Sequence, residues 1–190
     1  INNNTGDLYI KNSSDDKDII FQTDDGSGGL ATYFFLDGSA GGSLPFTVFP
    51  DSSTLTFGTG YDLRQYHNGT DSYLDNYEGN LNIRNYADDK DIIFQSDDGS
   101  GGVTPYFFLD GSSASSGTLY TQFPDNSNLT FGSADDLQIK HDGTDSKITN
   151  TNGDLYIRST ADDKDIIFQS DDGSGGVETY FFLDGSSGGG

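Results

Sequence analysis

The sequence predicts an all-β protein, built as an elongated, repetitive fibre of β-strands and hairpins. Three observations lead to this prediction: one acidic phrase occurs three times, short apolar runs alternate with turn residues, and no useful stretch has helical periodicity. The phrase reads SDDKDIIFQTDDGSGG from Ser14, and closely similar copies start at Ala87 and Ala161. A structural assembly such as a fibre or a shell is built from many copies of one unit, whereas a catalytic site seldom needs three copies of itself.

The repeat is longer than this phrase and sets the organisation of the chain. Copies of DDKDIIFQ begin at Asp15, Asp88 and Asp162, so both intervals are nearly equal and the period is long for a repeat protein. The chain therefore divides into a lead-in at 1–5, repeat 1 at 6–78, repeat 2 at 79–152, a partial repeat 3 at 153–185 and a Gly-rich exit at 186–190. Because it opens on Ile1 in mid-phrase, we expect the chain to be a piece of a longer protein.

Each repeat is a series of short candidate strands. In the first copy these centre on residues 8–10, 19–21, 33–36, 46–48, 55–57, 63–65 and 73–74. Their starts are closely but unevenly spaced, and Gly, Asp, Asn or Ser fills nearly every gap, as is typical of all-β proteins. In the third copy, DIIFQS, DDGSGG and VETYFFLD predict a hairpin made of a strand, a tight turn and a returning strand.

The charge balance argues against several classes of partner. With 31 acidic and 9 basic residues, the net charge of −22 disfavours nucleic acids and anionic membrane surfaces. Cysteine is absent, and no apolar run approaches the ~20 residues of a membrane span, so we expect no membrane insertion. Leu, Ile, Val and Phe make up about 23% of the residues, just above the ~20% below which charged chains tend to be disordered. We expect a folded chain with a thin core.

The uneven strand spacing favours interleaved chains over one coiled chain. A repeat buries its apolar face by stacking on neighbours, and single-chain solenoids usually keep a constant short coil. We predict an intertwined homotrimer of the β-helix or β-prism type, with a single-chain β-solenoid as the alternative. A β-propeller is less favoured, because its blades span about 40 to 50 residues and number at least four.

Several phrases recur in a fixed order over essentially the whole chain: LTFG, DLQIKHDGTDS, GDLYIR, and DDKDIIFQSDDGSGG followed by YFFLDGS. This succession resembles the repeats of tail-fibre and other virion structural proteins of tailed bacteriophages, especially marine ones. The resemblance implies an external virion appendage that is elongated, trimeric and β-rich, and that assembles in the host cytoplasm. It also implies that other virion proteins contact the fibre ends, and that a domain outside this segment binds a host receptor or glycan.

We therefore expect a structural, non-enzymatic shaft that carries a distal receptor-binding tip. One alternative is a carbohydrate-binding or glycan-degrading tailspike shaft, with Tyr9, Tyr156 and Tyr180 along a glycan groove. Another is a repeat of a cellular surface filament or adhesin. A glycosidase needs two carboxylates at a set separation, whereas the Asp-rich phrases here are copied in every repeat and mark no unique site.

Two groups of residues are candidate cation ligands, and no other cofactor is indicated. Paired carboxylates at the hairpin turns offer the oxygen atoms that Ca²⁺ prefers, although the EF-hand spacing is missing. Alternation places Leu137, Ile139 and the His that follows on one strand face, where a threefold axis would bring imidazoles together around a metal or an anion. Turn chemistry and solvated charge are the favoured explanation for the Asp pairs, and a strand-end position that faces solvent or caps a turn is the favoured explanation for the two histidines. The candidates are Asp24, Asp25, Asp97, Asp98, Asp171, Asp172, His67 and His141.

Overall fold

The computed structural model describes residues 4–40, 42 and 44–187, so the ends of the lead-in and of the exit, at 1–3 and 188–190, lie outside the described residues. None of the described residues is helical, which confirms the all-β prediction. That part of the chain accordingly contains no helix able to cross a membrane. The chain divides into two units, Ile1–Ile83 and Arg84–Gly190, each of which is described by itself.

The first unit contains two antiparallel sheets of three strands, each formed by strands that follow one another along the chain. All the strands predicted for the first copy lie within them, except the one at 8–10. The first sheet consists of β1 (Ile19–Asp24), β2 (Leu30–Asp37) and β3 (Phe46–Val48). The second consists of β4 (Leu55–Phe57), β5 (Leu63–His67) and β6 (Ser72–Asn76).

The second unit repeats this arrangement and adds a further hairpin. Its first sheet consists of β7 (Ile92–Asp97), β8 (Val103–Ser115) and β9 (Thr118–Gln122). Its second sheet consists of β10 (Leu129–Phe131), β11 (Leu137–His141) and β12 (Ser146–Asn150). The hairpin consists of β13 (Ile166–Asp171) and β14 (Val177–Leu183), which confirms the hairpin predicted from DIIFQS and VETYFFLD.

The three DIIFQ hairpins have the same register. Each pairs the first Ile of β1, β7 or β13 with a Leu, and each shifts register directly after the Phe, between Phe21 and Gln22 in the first copy. A β-bulge at the same position of each copy increases the local twist of the strand pair and is a specific structural feature. The identical register shows that the repeated words encode one repeated supersecondary unit.

The prediction of a strand at residues 8–10 is wrong for the single chain. Leu8, Tyr9 and Ile10 belong to no strand, and the equivalent residues 81–83 and 155–157 also pair with nothing in the described chain. Alternating apolar residues show that a segment suits a sheet, but a strand also needs a neighbour whose backbone accepts its hydrogen bonds. The sequence pattern indicates the first condition and says nothing about the second.

The described chain has no apolar core. Not one of its hydrophobic side chains is buried, and the sole buried residue is Asp110, which is 8% exposed. The thin core expected from composition is therefore not completed within one chain.

Candidate assembly surface and acidic turns

The hairpin sheets carry large apolar side chains on both faces. In the first copy Ile19 pairs with Leu36, and Phe21 pairs with Phe34, so these four side chains share one face. The intervening pair projects from the opposite face, because successive strand residues alternate between faces. That pair is Ile20 with Phe35, and the copies of Ile20 at 93 and 167 resemble it in exposure, at 55%, 51% and 54%.

Phenylalanine stacks order one face of each hairpin. The ring centroids of Phe21 and Phe34 lie 4.4 Å apart, and Phe49 continues the stack at 5.7 Å from Phe34. The second copy repeats the stack with centroid distances of 4.5 and 5.8 Å, and the third contains a pair at 4.3 Å. Offset aromatic pairs of this kind add about 0.5–1.5 kcal/mol beyond the area that they bury. The stacks give the apolar face a defined shape.

The chain exposes far more surface than a self-contained protein of its size. Its accessible surface is 15,343 Å², whereas a folded monomer of 20.4 kDa is expected to expose about 8,800 Å². Two separate globular units sharing this mass would together expose about 10,600 Å². The difference of roughly 4,700 Å² or more is as large as the interfaces of obligate assemblies, which bury about 2,000–5,000 Å². We name the two apolar faces of the three hairpin sheets the assembly surface.

The candidate cation ligands at the turns are engaged by the turns themselves. Oδ1 of Asp25 accepts hydrogen bonds from the Ser27 amide at 2.7 Å, the Ser27 hydroxyl at 2.8 Å and the Gly29 amide at 3.0 Å. Oδ2 of Asp24 accepts one from the Gly26 amide at 3.0 Å. Asp97 and Asp98 make the equivalent bonds in the second copy, and Asp171 and Asp172 do so through turn amides in the third.

These bonds stabilise the ionised form of the inner Asp of each pair. The hydroxyl and amide of Ser27 and the amide of Gly29 lower the pKa of Asp25, and Asp98 and Asp172 are shifted in the same direction. Within the described residues, no three acidic or His side chains come close enough together to hold a metal ion. Turn formation thus accounts for the Asp pairs, while cation binding at these residues stays a prediction.

The two histidines occupy equivalent exposed places at the ends of β5 and β11. His67 Nδ1 lies 3.1 Å from the Ser72 hydroxyl, and His141 Nδ1 lies 3.1 Å from the Ser146 hydroxyl. Each bond joins a pair of residues that face each other across neighbouring strands. Within the described residues the single chain brings no group of imidazoles and carboxylates together there, so convergence at a threefold axis also stays a prediction.

Sequence reasoning missed a clamp at the base of each hairpin. Oδ1 of Asp18, just before β1, accepts a hydrogen bond at 3.0 Å from the amide of Gly38, just after β2. Asp91 and Gly111 form the same bond at 2.9 Å, as do Asp165 and Gly185. The signal was present, because the last Asp of DDKD and the Gly of LDGS recur in every copy at the same separation.

A second missed contact joins each of the first two hairpins to the turn before the following sheet. The Ser53 hydroxyl donates to the carbonyl oxygen of Tyr33, and the Ser127 hydroxyl donates to that of Tyr106 at 2.6 Å. Beside these contacts lie two open clefts of about 460 and 500 Å³, one in each unit. The clefts contain Tyr33 with Asp51 and Tyr106 with Asp125, so they too are products of the repeat.

One face of the second sheets differs between the two repeats. In the first unit Tyr66 stacks on Tyr73 with ring centroids 4.9 Å apart, and the guanidinium carbon of Arg64 lies 4.4 Å from the centroid of Tyr77. In the second unit the positions of that tyrosine pair are occupied by two lysines, of which Lys147 forms an ion pair with Asp142. These substitutions leave the strand pairing unchanged.

Compared with family models, with curated proteins and with solved structures, the chain matches none of them. The functional conclusion therefore rests on the repeat, the assembly surface and the sequence resemblance stated above.

Proposed function

We propose that this chain is a structural shaft segment of a viral fibre, that it assembles as a homotrimer, and that it extends from the virion to present a distal receptor-binding tip. One observation carries most weight: the hairpin sheets are apolar on both faces, and no apolar side chain of the described chain is buried. A sheet with two apolar faces needs a cover on each side. In a homotrimer the neighbouring chains provide that cover.

The repetition supports a mechanical role. A hairpin with fixed register, bulge and clamp recurs at nearly equal intervals along the chain, which suits a rod that grows by adding identical units. The net charge of −22 per chain would cover such a rod with anionic groups, which keep particles dispersed and reduce adhesion to anionic cell surfaces. We assign no catalytic step to this segment, and other virion proteins would contact the rod at its ends.

The exposed tyrosines do not by themselves favour a glycan-binding shaft. Tyr9, Tyr156 and Tyr180 are 80%, 79% and 65% exposed, but leucines and isoleucines around them are exposed as well. In addition, the hydroxyls of Tyr9 and Tyr156 donate to Asp7 and Asp154, each at 3.3 Å. High exposure is thus shared by apolar residues along the chain, and it does not distinguish a row of aromatic side chains that could bind a glycan.

The proposal is tested by electron microscopy with two samples. The purified chain is expected to form rods of constant width, and an antibody raised against it is expected to label thin appendages on intact virions. Label on cell-surface filaments, with virions unlabelled, would contradict the viral assignment and support a cellular filament. Round particles at every concentration would contradict a shaft of either kind.

A further inference from the structure

Three short segments have the composition of a strand but pair with no other segment of the described chain. We name residues 8–11, 81–84 and 155–158 the Leu-x-Ile segments; they read LYIK, LNIR and LYIR. In the described chain their backbone groups form no hydrogen bond with any other segment. Leu8 and Ile10 are 54% and 56% exposed, and the corresponding residues of the other two segments are exposed to a similar degree.

Asparagine side chains hold the chain before the second and third segments and after the first and second segments. Before the second segment, Asn76 Nδ2 donates to the carbonyl oxygen of Gly79 at 2.9 Å, and Asn150 forms the same bond with Gly153 at 2.8 Å. After the first segment, Asn12 Nδ2 donates to the carbonyl oxygen of Asp18 at 3.0 Å, and Asn85 donates to that of Asp91 at 3.0 Å. The second segment is thus fixed at both ends and the other two at one end each, while the backbone groups of all three segments stay unpaired within the described chain.

Each of the three hairpins also has a free edge. Among the residues that the structure describes, strands β1, β7 and β13 pair on one side only, with β2, β8 and β14. An unpaired edge offers a row of amide and carbonyl groups to any extended chain of suitable sequence. The hairpin edges start at Ile19, Ile92 and Ile166, so they recur along the chain with the same spacing as the Leu-x-Ile segments.

The charges of the segments and of these edges are also complementary. Three of the nine basic residues of the chain, Lys11, Arg84 and Arg158, end the three segments. The free hairpin strands lead into the acidic pairs that begin at Asp24, Asp97 and Asp171. In a chain with a net charge of −22, a cation at one position of every repeat offsets the repulsion between copies where the two backbones meet.

We infer that the Leu-x-Ile segments of one copy pair with the free edges of β1, β7 and β13 of a second copy. Equal spacing lets two copies in axial register form all three pairings together. Each pairing adds an inter-chain strand to a hairpin sheet, so that the Leu and Ile of the segment extend one apolar face of the neighbour's sheet at its edge. This inference rests on the proposed homotrimer and names the strands that join its chains.

Hydrogen–deuterium exchange on the wild-type chain, over a dilution series in which its mass is measured in parallel, tests the pairing. The amides of the three segments are expected to be protected in assembled chains and to exchange freely after dilution to monomers. Assembled chains with freely exchanging segments would overturn this inference and leave the proposed fibre intact. A chain that stays monomeric throughout, or segments protected equally in the monomer, would overturn it too, and the monomer would also contradict the proposed homotrimer.

Proline substitution gives an independent test. Replacing the middle residue of Leu-x-Ile in all three segments by Pro removes an amide that donates no hydrogen bond within the described chain, and the same replacement by Ala is the matched control. Because alternate amides point to the same side of a strand, a second Pro set is made at the following residue, again with an Ala control. At least one Pro set is expected to lower the assembled fraction at least tenfold relative to its control. Unchanged assembly in both sets would refute the pairing. The first set is Tyr9→Pro, Asn82→Pro and Tyr156→Pro, and the second is Ile10→Pro, Ile83→Pro and Ile157→Pro.

Discussion

The substitution Gly111→Ala tests the clamp at the base of the second hairpin. A Cβ atom at this position would meet the carbonyl oxygen of Lys90 and lie 3.2 Å from its carbonyl carbon. Both atoms belong to the backbone, so neither can rotate away as a side chain would. Gly111 and Lys90 must therefore move apart by roughly 1 Å, which also weakens the bond from the Gly111 amide to Asp91.

Overpacking of this kind costs about 1–3 kcal/mol. For a unit of about 100 residues, each kcal/mol lowers the melting temperature by about 4 °C, so we expect a decrease of about 4–12 °C. Thermal unfolding is followed by circular dichroism at one fixed chain concentration, because assembly makes the melting temperature depend on concentration. The same sign is expected at Gly38 and Gly185, whose Cβ atoms would meet the carbonyls of Lys17 and Lys164.

Asp91→Asn is the matched control. Its amide oxygen still accepts the bond from Gly111, and no atom is added near Lys90. We expect a smaller decrease in melting temperature than that of Gly111→Ala. If Gly111→Ala melted at the wild-type temperature, the clamp would not constrain the hairpin base, and the reasoning from repeated contacts to repeated structure would fail.

Three further predictions concern pH, a cation–π contact and salt. Hydrogen bonds from the Ser100 hydroxyl and amide and from the Gly102 amide lower the pKa of Asp98 in the folded state. The ionised Asp98 therefore contributes its full stabilisation above the unfolded-state pKa near 4, and this stabilisation is lost as the pH falls through the folded-state pKa. Asp98→Asn should therefore lose less melting temperature than wild type between pH 7 and pH 2; an equal loss would contradict this. Arg64→Ala should lower the free energy of unfolding by about 0.5–1 kcal/mol in urea, since its guanidinium lies over Tyr77, and Arg64→Lys should lower it by less. An unchanged midpoint for Arg64→Ala would exclude a contribution from that contact. Raising salt from about 0.05 to 0.5 M should increase the assembled fraction by screening the charge of −22 per chain, and EDTA at constant ionic strength should leave it unchanged. Dissociation by EDTA would instead favour cation binding at the acidic turns.

Much of the local structure was predictable because it is encoded in neighbouring residues. The apolar run of β1, the turn formed by Asp25 and Gly26, and the returning strand β2 follow one another directly along the chain. Gly26 adopts a φ of 81°, a left-handed conformation that glycine accepts without strain. Six of the seven strands predicted for the first copy lie within observed strands for this reason.

The remaining features depend on contact partners that a local sequence pattern does not identify. The alternation of Leu8 and Ile10 predicted a strand, yet no strand of the described chain pairs with them. The Asp18 clamp was hidden among many Asp residues, because composition alone does not show which carboxylate accepts a backbone amide. Tyr66 and Lys140 occupy equivalent strand positions, which shows that strand register is set by the shared apolar and turn residues.

The mass of the assembled species in solution tests the central claim most directly. Light scattering coupled to size-exclusion chromatography, at concentrations from dilute to high, gives this mass without assuming a shape. The account predicts a mass near three times the 20.4 kDa of one chain, in a particle too long for a globule of that mass. A compact species of 20.4 kDa at every concentration would contradict it, and would favour a single-chain β-solenoid that covers its apolar faces by itself.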